Sequence, residues 1–318
     1  MRRLRSFPIL ACLFALPILV PAQDPKKDPD QIGSRDVSKG INLYSIPKEI
    51  ALGKQLAAQV VRTNHVVDDR VIAEYVNRLG QNLARNSDAK IPVTMNVIQG
   101  ETINALTLPG GYIFVNTGLI LAADTESELA GALAHEIGHV AARRGTRQAS
   151  REQVANLATI PLIFMGGGWG AYGTRQATGV LLPVAFFSFS REFESEADLL
   201  GLEYLYKAGY DPAGLLDMFE KIQALYRSKP GLLAKLVSEH PDTQARITAA
   251  QKNIQELLRA QPQYVVNTSE FDQVKARLLA LENRRQTEPD DPDRLRLRRT
   301  PAAPKLSKSM KSGNRPCV

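Results

Sequence analysis

Two of the four histidines in this chain, His135 and His139, lie four residues apart with Glu136 between them, inside the apolar run Leu129–Ala142. Residues four apart share one face of an α-helix, so a helix here must aim two imidazoles at a common point and hold a carboxylate beside them. Leu129, Ala132, Leu133, Ile137, Val140 and Ala141 would bury most of that helix, and Gly131 and Gly138 would let a second backbone come close. Buried imidazoles and carboxylates need partners. One zinc ion supplies them, with His135 and His139 as ligands and Glu136 positioned to take a proton from an activated water. The same spacing also arises by chance on solvated helices, but this apolar setting argues against that origin.

The helix start is legible in Thr125-Glu126-Ser127-Glu128, a capping box with Thr125 as N-cap and Glu128 reaching back. The run is expected to continue to about Arg144, where Arg143 and Arg144 meet the negative end of the dipole and Gly145 ends it. A single-zinc hydrolase needs a third protein ligand and an open coordination position. A second helical stretch, Ser190–Gly201, carries Glu194 and Asp198 on one face. Glu194 then suits the metal and Asp198 a ligand histidine's outer nitrogen, while Glu192 and Glu196 point elsewhere. An ordinary acidic surface helix is the competing reading of this cluster.

The pairing of H-E-x-x-H with the downstream S-R-x-x-E-x-E-A-D-x-x-G resembles the gluzincin metallopeptidases related to HtpX and the CAAX prenyl proteases, in particular their soluble periplasmic branch. Asn104–Ile120 is similar to that family's stretch before the zinc helix, and His240-Pro241 with Arg246-Ile247 to its later H-P-x-x-x-x-R-[IL]. The resemblance runs over roughly residues 45 to 255. It implies an α+β, predominantly helical zincin-type fold, one zinc per chain held by His135, His139 and Glu194, Glu136 as catalytic base, and Asp198 as partner of a ligand histidine. Many relatives carry a histidine in A-R-H soon after the zinc helix, where this chain reads Ala142-Arg143-Arg144, and no site role is assigned to that position. No solenoid repeats follow the catalytic core, unlike relatives that carry tetratricopeptide units.

Pro109-Gly110-Gly111 is a turn signal and Tyr112-Ile113-Phe114-Val115 a β-branched and aromatic strand, so Asn104 to Val115 reads as a hairpin. Gly111, Tyr112, Ile113, Phe114 and Val115 are the candidate substrate-binding strand, pairing with an extended peptide backbone. A hairpin that only completes a small sheet is the other reading, and the two are compatible. His240 either lies near the zinc, donating to an oxyanion or occupying the open position as a brake with Arg246 as a further catalytic positive group, or merely belongs to the loop before a helix starting near Thr243. His65 has no motif around it.

Met1–Arg5 is basic, Phe7–Val20 apolar and Val20-Pro21-Ala22 a small-residue cleavage site, so residues 1–22 read as a secretory signal peptide. The apolar stretch is short for a membrane span and Pro17 interrupts it. Residues 23–40 are expected to be a disordered linker, 41–285 the metallopeptidase domain, and 286–318 a disordered basic tail that contributes to the net charge of +7. Of the two cysteines, only Cys317 would outlast cleavage, so no internal disulfide is expected. Helices are expected at about 47–63, 68–86, 243–260 and 269–284. Ile160–Gly170 and Val180–Phe189 are broken by Gly and Pro, and either pack under the ligand helices or form a lid or apolar patch.

These features point to a zinc metalloendopeptidase, periplasmic or secreted and possibly membrane-associated, acting on unfolded or misfolded protein. The resemblance implies envelope or outer-membrane quality control, with contact to a membrane surface or outer-membrane assembly machinery. Nucleic acid is excluded as a partner by the secretory start and the lack of a recognition motif. The alternative is a latent or chaperone-like binding protein, and a structural zinc site is disfavoured by having three strong ligands.

Overall fold

The computed structural model describes residues 28–165, 190–228, 240 and 243–287. The expected signal peptide and most of the apolar runs and basic tail lie outside those residues. Helices α1 (Ile46–Thr63) and α2 (Arg70–Arg85) come first, each started by a side chain: Ser45 accepts from the Lys48 amide and Asp69 from the Ile72 amide. A three-stranded sheet follows, β1 (Thr94–Ile98), β2 (Ala105–Leu108) and β3 (Tyr112–Asn116), then a short helix α3 (Thr117–Ala122). Helices α4 (Glu126–Ala141), α5 (Arg144–Met165), α6 (Arg191–Lys207), α7 (Ala213–Ser228), α8 (Thr243–Leu257) and α9 (Ser269–Thr287) complete the order. The mainly helical α+β expectation holds.

Helix α4 is the centre of the core. Leu129, Leu133 and Ile137 are fully buried on it, while Ala132 is partly buried against the core and also borders a cleft. The small residues explain how α6 comes so near: a Cβ added at Gly138 would stand 3.0 Å from the Ala197 carbonyl oxygen, and one at Gly201 3.0 Å from the His135 amide nitrogen. At Gly131 the close neighbour is the backbone of Leu215 on α7. Thr125 caps α4 by accepting from the Glu128 amide at 3.3 Å, and the Glu128 carboxylate reaches back one residue further, to the Asp124 amide at 2.9 Å.

Three expectations need correction. Helix α4 stops at Ala141, not near Arg144: Arg143 takes the left-handed conformation with φ 51°, and α5 begins at the next residue, so Gly145 is helical. Contacts hold that turn, since the Arg143 guanidinium donates to Glu49 Oε2 at 2.7 Å and to the Tyr44 carbonyl at 2.6 Å. The second correction concerns the described part of the linker. Residues 28–40 pack as a strap, with Pro29, Arg35 and Val37 buried and Arg35 paired with Asp88 and Glu203.

The third correction concerns the substrate strand. Sheet order is β1-β3-β2, with β3 parallel to β1 and antiparallel to β2. Strand β3 is therefore the middle one, and its main-chain groups are already paired on both sides. Ile113, Phe114 and Val115 have no exposed surface, as a continuous apolar run in a central strand should. Gly111 belongs to the turn, where φ is +83° and a Cβ would meet the backbone of Pro92. The edge strands are β1 and β2, and it is β2, whose Leu106 and Thr107 are half-buried, that runs beside Glu136.

Candidate metal centre

Helix α4 delivers His135, Glu136 and His139, α6 delivers Glu194 and Asp198, and the segment entering α8 delivers His240 and Arg246. All seven are buried. His135 Nε2 stands 3.0 Å from His139 Nε2 and 3.6 Å from Glu194 Oε2, and His139 Nε2 is 3.4 Å from Glu194 Oε1. His240 Nδ1 lies 3.4 Å from His135 Nε2 and 2.8 Å from Glu194 Oε2. Ligands bonded to zinc at about 2.0–2.2 Å in a tetrahedral shell are roughly 3.3–3.6 Å apart, so this group has the dimensions of one zinc shell. Glu194 Oε1 is buried with no hydrogen-bond donor, and it faces the centre of the group. Two imidazoles and a carboxylate are a donor set that suits zinc. Among the described residues, His135, His139, Glu194 and His240 form the one cluster at metal-ligand spacing.

The surrounding shell is made of charge pairs. Asp198 Oδ1 is 2.9 Å from His135 Nδ1, which orients the ring so that Nε2 faces the cluster. Arg246 grips Asp198 with two donors, Nε at 2.8 Å and Nη2 at 2.7 Å, sets Nη1 3.2 Å from Glu194, and stacks 4.4 Å from the Phe219 ring centre. Burial pushes the Asp198 carboxyl upward, but the Arg246 charge and hydrogen bonds, then His135, outweigh it and hold the group well below the usual carboxylate range. Glu194 is likewise lowered despite burial, chiefly by His240. His240 is raised, because the Glu194 charge and hydrogen bond and the Glu136 charge overcome burial. Arg246, expected as a catalytic positive group, has its contacts with the carboxylates behind the cluster and so has the geometry of a positioning residue.

Glu136 stands to one side of the ligand set. Its Oε2 accepts from the Thr107 hydroxyl of edge strand β2 at 2.5 Å, and its Oε1 lies 3.7 Å from His240 Nε2. Next to it opens an apolar cleft of about 530 Å³, walled by Ala105, Ala132, Met218, Phe219 and Ile222 with His135, Glu136 and Arg246 at its polar end. Thr107 and the α7 residues were missed as site residues: Thr107 lies inside the hairpin motif, whereas nothing local marks Phe219. Glu192 and Glu196 do point away, toward Arg151 and Arg144 on α5. His65 is exposed and stands outside the cluster.

The chain is 28% identical over 263 residues to the beta-barrel assembly-enhancing protease of Escherichia coli K12, covering 80% of this chain and 53% of that protein. It is 31% identical over 180 residues to the mitochondrial metalloendopeptidase OMA1 of Schizosaccharomyces pombe, with 54% of this chain and 50% of that one covered. To the metalloprotease LoiP of E. coli K12 it is 28% identical over 176 residues, 55% of this chain and 68% of LoiP. It thus spans about half the length of the beta-barrel assembly-enhancing protease. Residues 72–254, more than half of the chain, match peptidase family M48, and the chain belongs to that family of zinc-dependent metalloproteases.

Proposed function

We propose that this chain is an endopeptidase that hydrolyses unfolded or misfolded proteins of a bacterial envelope, with His135, His139 and Glu194 holding one zinc and Glu136 acting as general base. The observation that carries the reading is the position of Glu136, beside a zinc-sized donor set, hydrogen-bonded to the edge strand and facing a cleft. When bound, zinc supplies Lewis acidity that acidifies water and polarises a carbonyl. Glu136 takes the water's proton on a carboxylate oxygen and hands it to the leaving amine. Thr107 fixes the rotamer of that carboxylate. Asp198 and Arg246 keep the His135 ring and the Glu194 carboxylate oriented, so no reorganisation is needed during reaction.

Substrate binds extended along β2, the strand with a free edge beside Glu136, in place of the β3 residues first expected. The apolar cleft takes an apolar side chain. Among the described residues no helix is long and apolar enough to cross a membrane. The signal-like residues 1–22 support a periplasmic location, and the name of the beta-barrel assembly-enhancing protease supports a role with outer-membrane proteins. Contact with a membrane surface or assembly machinery belongs to the same reading.

A second reading, a latent protease, is favoured by His240. Its Nδ1 sits within the ligand set, so it supplies a fourth protein donor from a segment separate from both ligand helices, and it acts as a brake. Zinc content and cleavage of unfolded casein by the full chain test both readings. Glu136→Gln is expected to keep zinc and lose about 10²–10⁴-fold in rate, the usual contribution of a general base. Glu194→Ala is expected to lose zinc, and His240→Ala to cleave faster than wild type if the brake is real. Undiminished cleavage by Glu136→Gln would sink the peptidase mechanism.

A further inference from the structure

We propose that Arg144 makes the polar cleft beside His139 a subsite for an acidic substrate side chain, so that this chain selects segments with a carboxylate a few residues from an apolar residue. The proposal rests on the peptide-binding reading above. Arg144 is the position at which the sequence departs from A-R-H, and from the sequence it is expected only to face a helix end.

The left-handed turn at Arg143 directs the first residue of α5 inward, and Arg144 is completely buried. Its Nη2 donates to Glu196 Oε2 at 3.0 Å, yet Nε and Nη1 have no acceptor. Burial lowers its pKa to about 10, so it is a cation at neutral pH. A buried guanidinium with spare donors is a site short of an acceptor.

The carboxylates around Arg144 are already engaged. Glu49 is taken by Arg143 and Thr146, and Glu196 is shared by Arg144 and Arg147. Arg151 pairs with Glu192, and Glu194 and Asp198 are engaged by His135, His240 and Arg246. Arg143, Arg144 and Arg147 thus share the two buried carboxylates Glu49 and Glu196, with the exposed Asp36 a more distant negative charge near Arg147. Thr107, Leu108, His139 and Gly145 wall the cleft with Arg144, and so does Glu49, whose carboxylate is held by Arg143 and Thr146.

The two clefts lie at different points along β2: Ala105 borders the apolar one and Leu108 the polar one. Three residues of strand span about 10 Å. A peptide paired with β2 therefore presents one side chain to the apolar cleft and another on the same face, two or four residues away, toward Arg144. An aspartate or glutamate there meets the unused donors with a charge of the right sign.

The test uses full-length Glu136→Gln protein and fluorescent peptides with one leucine and, two to four residues to either side, Glu, Gln or Lys. Anisotropy is expected to show the Glu peptide binding about tenfold tighter than the Gln peptide at one spacing, with Lys weakest. Wild-type protein should show the same ranking in kcat/KM. Adding Arg144→Gln or Arg144→His should bring the Glu-to-Gln ratio near one, while Arg151→Gln, at the outer Glu192 pair, should leave it unchanged. Zinc content and thermal melting check folding, and if Arg144→Gln does not fold, Arg144→His and the Glu, Gln and Lys ranking of the unaltered site still decide. Equal binding of Glu and Gln peptides, or a preference that survives in a folded Arg144 variant, overturns the proposal. Uniform weakening of all peptides would instead assign Arg144 to a main-chain carbonyl and also overturn it. Loss of the peptidase reading looks different, since binding would keep its preference while wild type cleaves nothing; absence of both overturns both.

Discussion

Helix α6 carries a buried arginine–carboxylate cluster at each end, and the two behave differently. At the N-terminal end Arg246 holds Asp198 and Glu194, and at the C-terminal end Arg35 of the strap holds Glu203 together with Asp88 of the α2–β1 connection. The first pair of carboxyls is kept ionised, because His135 and His240 add donors to those of Arg246. Glu203 is pushed up to about 7: burial dominates, the charges of Asp88 and Asp28 add to it, and one arginine does not offset them. Its Oε1 is buried without a donor. A carboxylate that must stay anionic to meet a metal needs more donors than one that only ties a strap to a helix.

The largest effect is expected from breaking the site end. Asp198→Ala takes the acceptor from His135 and strands the buried Arg246, which should weaken zinc binding by about 10–100-fold and cost about 3–5 kcal/mol of stability. Chelator competition and urea unfolding measure the two losses. Retention of wild-type zinc affinity would mean that Asp198 does not orient the ligand. At the strap end Arg35→Met leaves Asp88 and Glu203 facing each other, and a loss of about 3 kcal/mol is expected near pH 8. The loss should shrink near pH 5, where Glu203 is protonated; a pH-independent loss would contradict the sharing of charge described above.

Glu203→Gln sharpens the contrast further. A carboxyl with its folded pKa above its unfolded value binds its proton more tightly in the native state, so its stabilising contribution is complete below about pH 4.5 and is lost as pH rises through 7. The stability of wild type should therefore fall relative to Glu203→Gln across that window, by about 3 kcal/mol, as read from urea midpoints. Parallel pH profiles would refute the raised pKa. The smallest change is Tyr204→Phe, which removes the hydroxyl that donates to Asp88 at 3.0 Å. About 1.5 kcal/mol is expected for a buried bond to a charged acceptor, with zinc content untouched. Zinc loss in that variant would show that the two ends of α6 are coupled.

Features set by short-range spacing were legible. His135 and His139, Glu194 and Asp198, and the Thr125 cap each follow from residues three or four apart on a helix, and the hairpin follows from Pro109-Gly110-Gly111 between two apolar stretches. Strand β1 and helices α5 and α7 were not anticipated. Met95-Asn96-Val97-Ile98 is too short to announce a strand, and the Arg-rich start of α5 hides behind the turn at Arg143. That turn reads as a helix end, but its position is chosen by Glu49 and Tyr44, residues almost a hundred positions away.

By itself the sequence determined the chemistry available: a helix that must aim two imidazoles one way, a base next to them, and an acidic pair on a second helix to meet them. Helical periodicity is local, so it survives without any knowledge of packing. Tertiary structure alone decided which strand keeps a free edge, that His240 stands at ligand spacing from His135, His139 and Glu194, that Arg246 faces carboxylates, and that Arg144 is sealed beside a cleft with donors to spare. Those outcomes depend on contacts between segments far apart in the chain, made possible where Gly138 and Gly201 let two backbones meet.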